Sequence, residues 1–234
     1  MALIEHQAFL RETKDLAPNI RLFRFEVPAL ESFHFLPGQW VSLFADINGK
    51  KITRAYSLAS LPAGNTFEIC LNLVPEGLFT PYLFSLSSGQ SVSMKGPVGN
   101  FTLRDPKREC IFVATGTGVV PFRPILQQPS FLDSGTPATL VFGTRYEESL
   151  MFREEFEQLS EQFPNLRFIP TVTRPSKSWA GATGRIQPLL WDLLAGSTSP
   201  DVYICGLKDM VDDVREQLKL RGFDRKQIIY EKYD

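Results

Sequence analysis

No apolar run in this sequence approaches the roughly 20 residues that span a bilayer, and Met1-Ala2-Leu3-Ile4-Glu5-His6 lacks the basic start and long apolar core of a secretory signal. Both absences lead to the expectation of a cytoplasmic protein with no membrane partner. Cysteine is sparse: Cys70, Cys110 and Cys205 are three in number and far apart, which argues against a disulfide framework and against a cysteine zinc site. They also fall short of the four grouped thiolates that usually hold an iron–sulfur centre. The two histidines, His6 and His34, stand alone, so each reads as a solvent-facing or core residue and no metal is expected. Lys+Arg of 25 against Asp+Glu of 26 leaves a net charge of -1, which removes any general drive toward nucleic acid or anionic lipid. No internal repeat or low-complexity tract is visible.

At 43% hydrophobic and 22% charged residues the composition is that of an ordinary globular chain. Its 234 residues suffice for one large domain or two modest ones. Two rhythms divide it. The first hundred residues carry short strand signals separated by turn residues, the pattern of an antiparallel barrel or sandwich. Residues 20–27 alternate around Phe23, Phe25 and Val27, 40–45 follow the Pro37-Gly38 turn, Asn48-Gly49 is a hairpin pair, and 67–74 alternate with one apolar face. Thr80 and Pro81 read as the N-cap and first residue of a short helix ending near Leu86, and Phe101 as the start of a last short strand. The charged stretch from Arg104 to Arg108 marks the expected boundary, giving domains of 1–105 and 106–234. Beyond it apolar strands alternate with helical segments, the signature of a parallel sheet wrapped by helices. The strands are expected at 111–114, 138–143, 166–173, 202–205 and 228–230, the helices at 121–128, 148–163 and 207–220.

The stretch Arg54-Ala55-Tyr56-Ser57-Leu58-Ala59-Ser60 reads as one extended strand with a cation, a phenol and two hydroxyls among small or apolar residues. Alternation puts Arg54, Tyr56 and Leu58 on one face and Ala55, Ser57 and Ala59 on the other. A large ligand laid over it would meet a phosphate-binding cation and an aromatic platform within about 10 Å; an ordinary edge strand with a surface Arg fits the same residues. The helix start after Gly77 would present unpaired backbone N–H groups to a phosphate, or be no more than a good cap. Thr115-Gly116-Thr117-Gly118-Val119-Val120-Pro121 follows a buried strand and precedes a helix, so Gly116 and Gly118 would bring N–H groups close to whatever sits there. It is neither the ordinary dinucleotide fingerprint, whose third glycine is here Pro121, nor a Walker loop. Alone, a Gly-x-Gly turn is often merely a strand-to-helix joint, and Cys205 a small core residue.

In chain order, Arg54-Ala55-Tyr56-Ser57, Gly96-Pro97-Val98-Gly99-Asn100-Phe101, Gly116-Thr117-Gly118-Val119-Val120-Pro121, Cys205-Gly206-Leu207 and Tyr230-Glu231-Lys232-Tyr233-Asp234 resemble the motifs of the ferredoxin–NADP reductase family over essentially the whole chain. The resemblance implies an N-terminal antiparallel Greek-key β-barrel holding FAD, followed by a parallel α/β Rossmann-like domain holding NADP(H) or NAD(H). It implies hydride transfer between nicotinamide and flavin, with single electrons exchanged with a carrier such as ferredoxin or flavodoxin, by a monomer. Any iron–sulfur carrier would be a separate protein. Arg54 would offset pyrophosphate charge, Tyr56 would contact the flavin, Ser57 would donate toward its N5, and Ala55 lies between them. Asn72, Leu73 and Val74, with the turn Gly77-Leu78-Phe79-Thr80, would hold the dinucleotide. Gly116, Thr117, Gly118 and Pro121 would seat the nicotinamide coenzyme. Cys205 would lie near its ring, with Gly206 allowing close approach, Glu231 supporting proton and electron transfer, and Tyr233 covering the flavin. Ser57, Cys205, Glu231 and Tyr233 form the implied catalytic set; Asp234, one residue past the aromatic, departs from the family pattern. A flavin reductase, the NADH-dependent reductase component of an oxygenase, and a non-catalytic nucleotide-binding module are the alternatives.

NADPH is expected over NADH, because selecting the 2′-phosphate takes cations and hydroxyls. Thr173-Arg174 and Arg185 resemble the family's Ser/Thr-Arg and downstream Arg, and Arg145 sits at another expected strand end. Thr173-Arg174-Pro175 is also close to NADH-using relatives, so Arg185 carries the choice. Lys50 and Lys51 read either as solvated charges or as a basic patch that steers an acidic carrier.

Overall fold

Alternating apolar residues separated by tight turns build the first half of the chain. The computed structural model describes residues 4–104 and 108–233, so most of the expected boundary stretch and Asp234 lie outside the described residues. Strands β1 (Glu5–Ala17), β2 (Ile20–Glu26), β3 (Trp40–Ile47), β4 (Lys50–Ser57), β5 (Thr66–Asn72) and β6 (Ser91–Val98), with helix α1 (Phe79–Ser85) before the last, form one antiparallel sheet. Its order is β4-β3-β6-β1-β2-β5. The inner strand β6 returns between β3 and β1 after β5 has been laid at the far edge, which is the Greek-key crossing. A bridge between Leu58 and Ile69, and an Ala59 N–H donating to the Glu68 carbonyl at 2.7 Å, join the two edges and close the barrel. Inside lie Phe23, Phe25, Val41, Leu43, Leu58 and Phe67, with the Phe25 and Phe67 rings 5.5 Å apart. Asn48 and Gly49 both have positive φ, 55° and 73°, the geometry of a two-residue hairpin that sends β3 directly into β4.

Strand β6 was not expected, the strand expected through Ser60 ends at Ser57, and three further features depart from the sequence expectation. Strand β1 carries so few apolar residues that no alternation announces it; it holds because β2 and β6 flank it on both sides. Helix α1 begins at Phe79, with Leu78 in the cap position and no side-chain cap. Thr80 lies inside the first turn and does not cap it: its hydroxyl accepts from the Val74 N–H at 2.9 Å and donates to the Val74 carbonyl at 3.3 Å. Phe101 starts no strand, and its ring packs on Phe122 at 5.6 Å. Phe122 opens α2 (Phe122–Leu126), and the chain forms two compact units, Met1–Thr102 with Val120–Ile125, and Leu103–Val119 with Leu126–Asp234. Arg123 of α2 is the anchor within the first unit, donating to the Ala59 carbonyl at 2.7 Å and to the Glu68 carboxylate at 2.8 Å.

In the second unit, strands β7 (Cys110–Thr115), β8 (Ala138–Thr144), β9 (Leu166–Val172), β10 (Ala182–Thr183), β11 (Asp201–Leu207) and β12 (Ile228–Tyr233) make a sheet of order β10-β9-β8-β7-β11-β12. Every neighbouring pair is parallel. Helices α3 (Pro129–Leu132), α4 (Arg153–Gln162), α5 (Ile186–Leu194) and α6 (Lys208–Leu220) form the crossovers. β7 is central and buried on both faces, which accounts for its unbroken apolar run. The helix expected from residue 148 starts only at Arg153. Leu150 and Met151 are both buried, and turning them inward takes a short 3-10 turn and a left-handed Phe152 with φ 59°. α5 tolerates Pro188 because it lies in the first turn, where the backbone N–H has no helical partner to lose. Among the described residues no helix is long and apolar enough to cross a membrane.

The Arg123–Glu68 pair is largely shielded, with side chains 16% and 23% exposed, so removing one partner strands the other charge. Arg123→Met is expected to lower stability by about 3 kcal/mol, read as a shift of the urea midpoint. Arg123→Met with Glu68→Leu should recover most of that loss; a double variant as weak as the single one would show that the pair itself, and not the stranded carboxylate, matters.

Candidate functional site

In the first unit, β3 and β4 pair so that Leu43 lies opposite Arg54 and Val41 opposite Tyr56. Opposed residues share a face, so Arg54 and Tyr56 project on the side that carries core residues of β3. Tyr56 joins that core, its ring 6.2 Å from Phe79 and nearly parallel to it. Burial pushes its phenol well above the usual tyrosine range, with the Arg54 guanidinium opposing. Arg54 stays exposed, donates to the Thr53 carbonyl at 2.8 Å, and takes part in none of the ion pairs among the described residues. Ser57 is buried at the end of β4, and Ala55 is exposed.

Beyond β5, which ends at Asn72, the Leu73 N–H donates to the Asn19 carbonyl at 2.7 Å. The Gly77 N–H closes a turn onto the Val74 carbonyl at 2.9 Å, and a Cβ on Gly77 would press against that same oxygen at 3.1 Å. Val74 and Leu78 are exposed apolar side chains. Because α1 has no side-chain cap, its first N–H groups are left for another acceptor. A guanidinium outside any ion pair, a partly buried phenol, uncapped N–H groups and two exposed apolar side chains fit an aromatic group linked to phosphates, as FAD is. Of the two hairpin lysines, Lys50 shares the Arg54 face. Lys51 projects from the opposite face, with its ammonium 4.0 Å from the Phe44 ring centre.

In the second unit the strand order reverses between β7 and β11, and the residues singled out at their carboxyl ends meet there, the usual crevice of an open α/β sheet. A Cβ on Gly118 would overlap the Cys205 carbonyl, and one on Gly206, whose φ is +148°, would overlap the Thr115 hydroxyl. Gly118 is therefore spent on backbone packing. Gly116 and Thr117 remain partly exposed in the 3-10 turn Gly116–Val119, and Pro121 is buried. Cys205 pairs with Glu231, and Leu207 with Tyr233, across β11 and β12. The Cys205 thiol is fully buried. Burial pushes its pKa up, the Glu231 carboxylate adds to the rise, and a hydrogen bond from Tyr233 opposes it. Cys205, Glu231 and Tyr233 thus form one cluster around a neutral thiol.

Beside these strand ends is a cleft of about 400 Å³. Its lining includes the cations Arg145 and Arg185, the Thr173 hydroxyl, the apolar Ile186 and Met210, and Gln187, Asp209 and Asp213. No ion pair among the described residues engages Arg145 or Arg185. Arg174 is turned aside, donating to the Tyr146 hydroxyl at 3.1 Å, with its backbone N–H on the Arg145 carbonyl at 2.9 Å. Cations, hydroxyls and an apolar portion in one cleft suit a phosphorylated nucleoside. Gln187, Asp209 and Asp213 were missed in the sequence, although each lies in the opening turns of a helix that follows a strand, where an open α/β sheet binds its ligands.

Residues 7–103 match the family model described as an oxidoreductase FAD-binding domain, and residues 112–216 match the oxidoreductase NAD-binding domain. Ferredoxin–NADP reductase B of Sorangium cellulosum is 37% identical, over 97% of this chain and 97% of that protein. NADH-cytochrome b5 reductase 1 of Dictyostelium discoideum is 29% identical over 96% of this chain and 81% of its own length. Among solved structures, the Amycolatopsis cytochrome P450 reductase GcoB superposes with a TM-score of 0.88 at 25% identity, covering 98% of this chain and 70% of that one. With both domain models in order and a relative matched end to end, the chain belongs to the ferredoxin–NADP reductase family of FAD- and NAD(P)-binding oxidoreductases.

Proposed function

We propose that the protein is an NADPH-dependent flavoenzyme that exchanges electrons with a small acidic carrier of the ferredoxin or flavodoxin kind, with residues 1–105 serving the flavin and 106–234 the coenzyme. The reading rests on one observation above the others: the cleft of the second unit holds Arg145 and Arg185 without carboxylate partners, beside the Thr173 hydroxyl. Unpaired cations at a strand-end cleft favour a doubly charged phosphate. Bound FAD supplies the chemistry, accepting a hydride and passing electrons on singly.

The chain's own residues bind and orient. Arg54 offsets phosphate charge, the first N–H groups of α1 and the 77–80 turn receive the remaining oxygens, and Tyr56 gives the flavin an aromatic wall whose phenol stays protonated. Ser57 donates a hydrogen bond toward the reacting edge. In the second unit Gly116 and Thr117 present the backbone to the coenzyme, and Gly206 lets the chain beside the buried Cys205 lie close to Thr115. The neutral Cys205 thiol, with Glu231 beside it, offers a proton-bearing group of low polarity to the nicotinamide, and Tyr233 holds that thiol through its hydroxyl. NADH use is the second reading, favoured by Asp209 and Asp213 in the same cleft, since carboxylates there oppose a phosphate and suit free hydroxyls. The Sorangium relative is named for NADP and the Dictyostelium one for NADH.

The purified protein is expected to be yellow, to keep FAD through dialysis, and to bleach when NADPH is added without air. Arg54→Ala should weaken FAD retention by roughly ten- to a hundredfold, the effect of losing one charge-assisted bond; a colourless protein that FAD does not reconstitute would overturn the assignment. For the coenzyme, Arg145→Ala and Arg185→Ala should each reduce kcat/KM for NADPH by about tenfold or more while sparing NADH. Arg174→Ala, whose guanidinium is already engaged by Tyr146, should cost less. A wild type that prefers NADH would decide for the second reading. For the carrier, Lys50→Glu should slow reduction of ferredoxin and flatten its salt dependence, since steering is screened over about 10 Å at 0.1 M salt. Lys51→Glu, on the opposite face of β4, should do so less; equal effects would remove the face assignment.

A further inference from the structure

Asp213 is an exposed carboxylate that lines the same cleft as Arg145 and Arg185. Asp209 is different: it sits in the first turn of α6, where a negative charge offsets the unpaired N–H groups of the helix start. Asp213 lies one turn further on, beyond that effect. No ion pair among the described residues includes it. Gln187, on α5, donates its Nε2–H to one carboxylate oxygen, Oδ2, at 3.0 Å. That bond runs between the two helices that border the cleft, and it fixes the carboxylate while leaving Oδ1 as an acceptor. A held, negatively charged acceptor matches an N–H or O–H donor of a ligand, and in this cleft it stands with the apolar Ile186 and Met210 and with the cations Arg145 and Arg185.

We infer that Asp213, positioned by Gln187, accepts a hydrogen bond from the exocyclic amine of the coenzyme's adenine, so that the cleft selects the base as well as the phosphate. The inference rests on the reading of this cleft as the coenzyme's adenosine site. Ile186 and Met210 supply the apolar contact for the flat purine, while the arginines take the phosphate, so the charges of opposite sign act on opposite ends of one nucleoside. The same division explains why carboxylates are tolerated in a phosphate-selecting cleft: they need not face the phosphate.

The test is a binding cycle with two ligands and three proteins, read by titration calorimetry with oxidised coenzyme so that turnover plays no part. One ligand is NADP+, the other its 1,N6-etheno derivative, in which ring closure removes both amine hydrogens. Wild type is expected to bind NADP+ about tenfold more tightly than the etheno compound, the weight of one exposed charge-assisted bond. In Asp213→Ala the two dissociation constants should agree within about threefold, chiefly through weaker NADP+ binding. Arg185→Ala should weaken both ligands alike and preserve their ratio. If Asp213→Ala keeps the wild-type ratio, or if wild type does not distinguish the ligands, the amine contact is wrong while the cleft reading stands. If Arg185→Ala leaves both constants unchanged, the cleft reading itself fails, and the inference with it.

Discussion

The second unit depends on a backbone contact that admits no side chain. Its sheet reverses direction of growth between β7 and β11, and the turn that leaves β7 must lie directly on the end of β11. Gly118 and Gly206 make this possible, because a Cβ at either would occupy the Cys205 carbonyl or the Thr115 hydroxyl. From that contact follow the burial of Cys205, its pairing with Glu231 on β12, and a Thr115 side chain at the edge of the cleft. The glycines of the Gly-x-Gly turn are thus divided in purpose. Gly118 serves the sheet, while Gly116 remains partly exposed beside the crevice.

Ion pairing divides the arginines of the chain into two sets. Arg11, Arg21 and Arg123 each meet a carboxylate within 2.8 Å, and Arg123 does so under cover, tying the start of α2 to the barrel. Arg54, Arg145 and Arg185 have no such partner among the described residues, although carboxylates are as numerous as cations in the chain. A guanidinium without a carboxylate partner adds no ion pair to the fold. Arg54, Arg145 and Arg185 are for that reason the cations proposed above for the cofactor phosphates.

The acidic groups complete this division. Glu231 lies against a buried thiol and strengthens its hold on its proton. Asp213 is clamped by Gln187 in the cleft that carries the unpaired arginines. Asp213 takes part in none of the ion pairs among the described residues, so its charge remains within the cleft.

What the sequence by itself determined were the features that repeat or that have one conformational solution. Alternation in 20–27 and 67–74, the continuous apolar run of β7 and the left-handed pair Asn48-Gly49 specified a barrel followed by a parallel sheet, and the ordered motifs specified the family. The β1 strand was illegible because its partners on both sides, not its own residues, make it a strand. Thr80 looked like a cap because cap preference is local, whereas its hydroxyl is used by Val74 six residues back. Only the tertiary structure decided that Arg123 and the start of α2 go with the barrel and that Arg174 turns to Tyr146. It alone brought Gln187 and Asp213, 26 residues apart, into one cleft. Those facts depend on which strand ends adjoin, and adjacency in a sheet whose order runs β10-β9-β8-β7-β11-β12 is set by crossovers and packing between elements, which no local pattern of residues encodes.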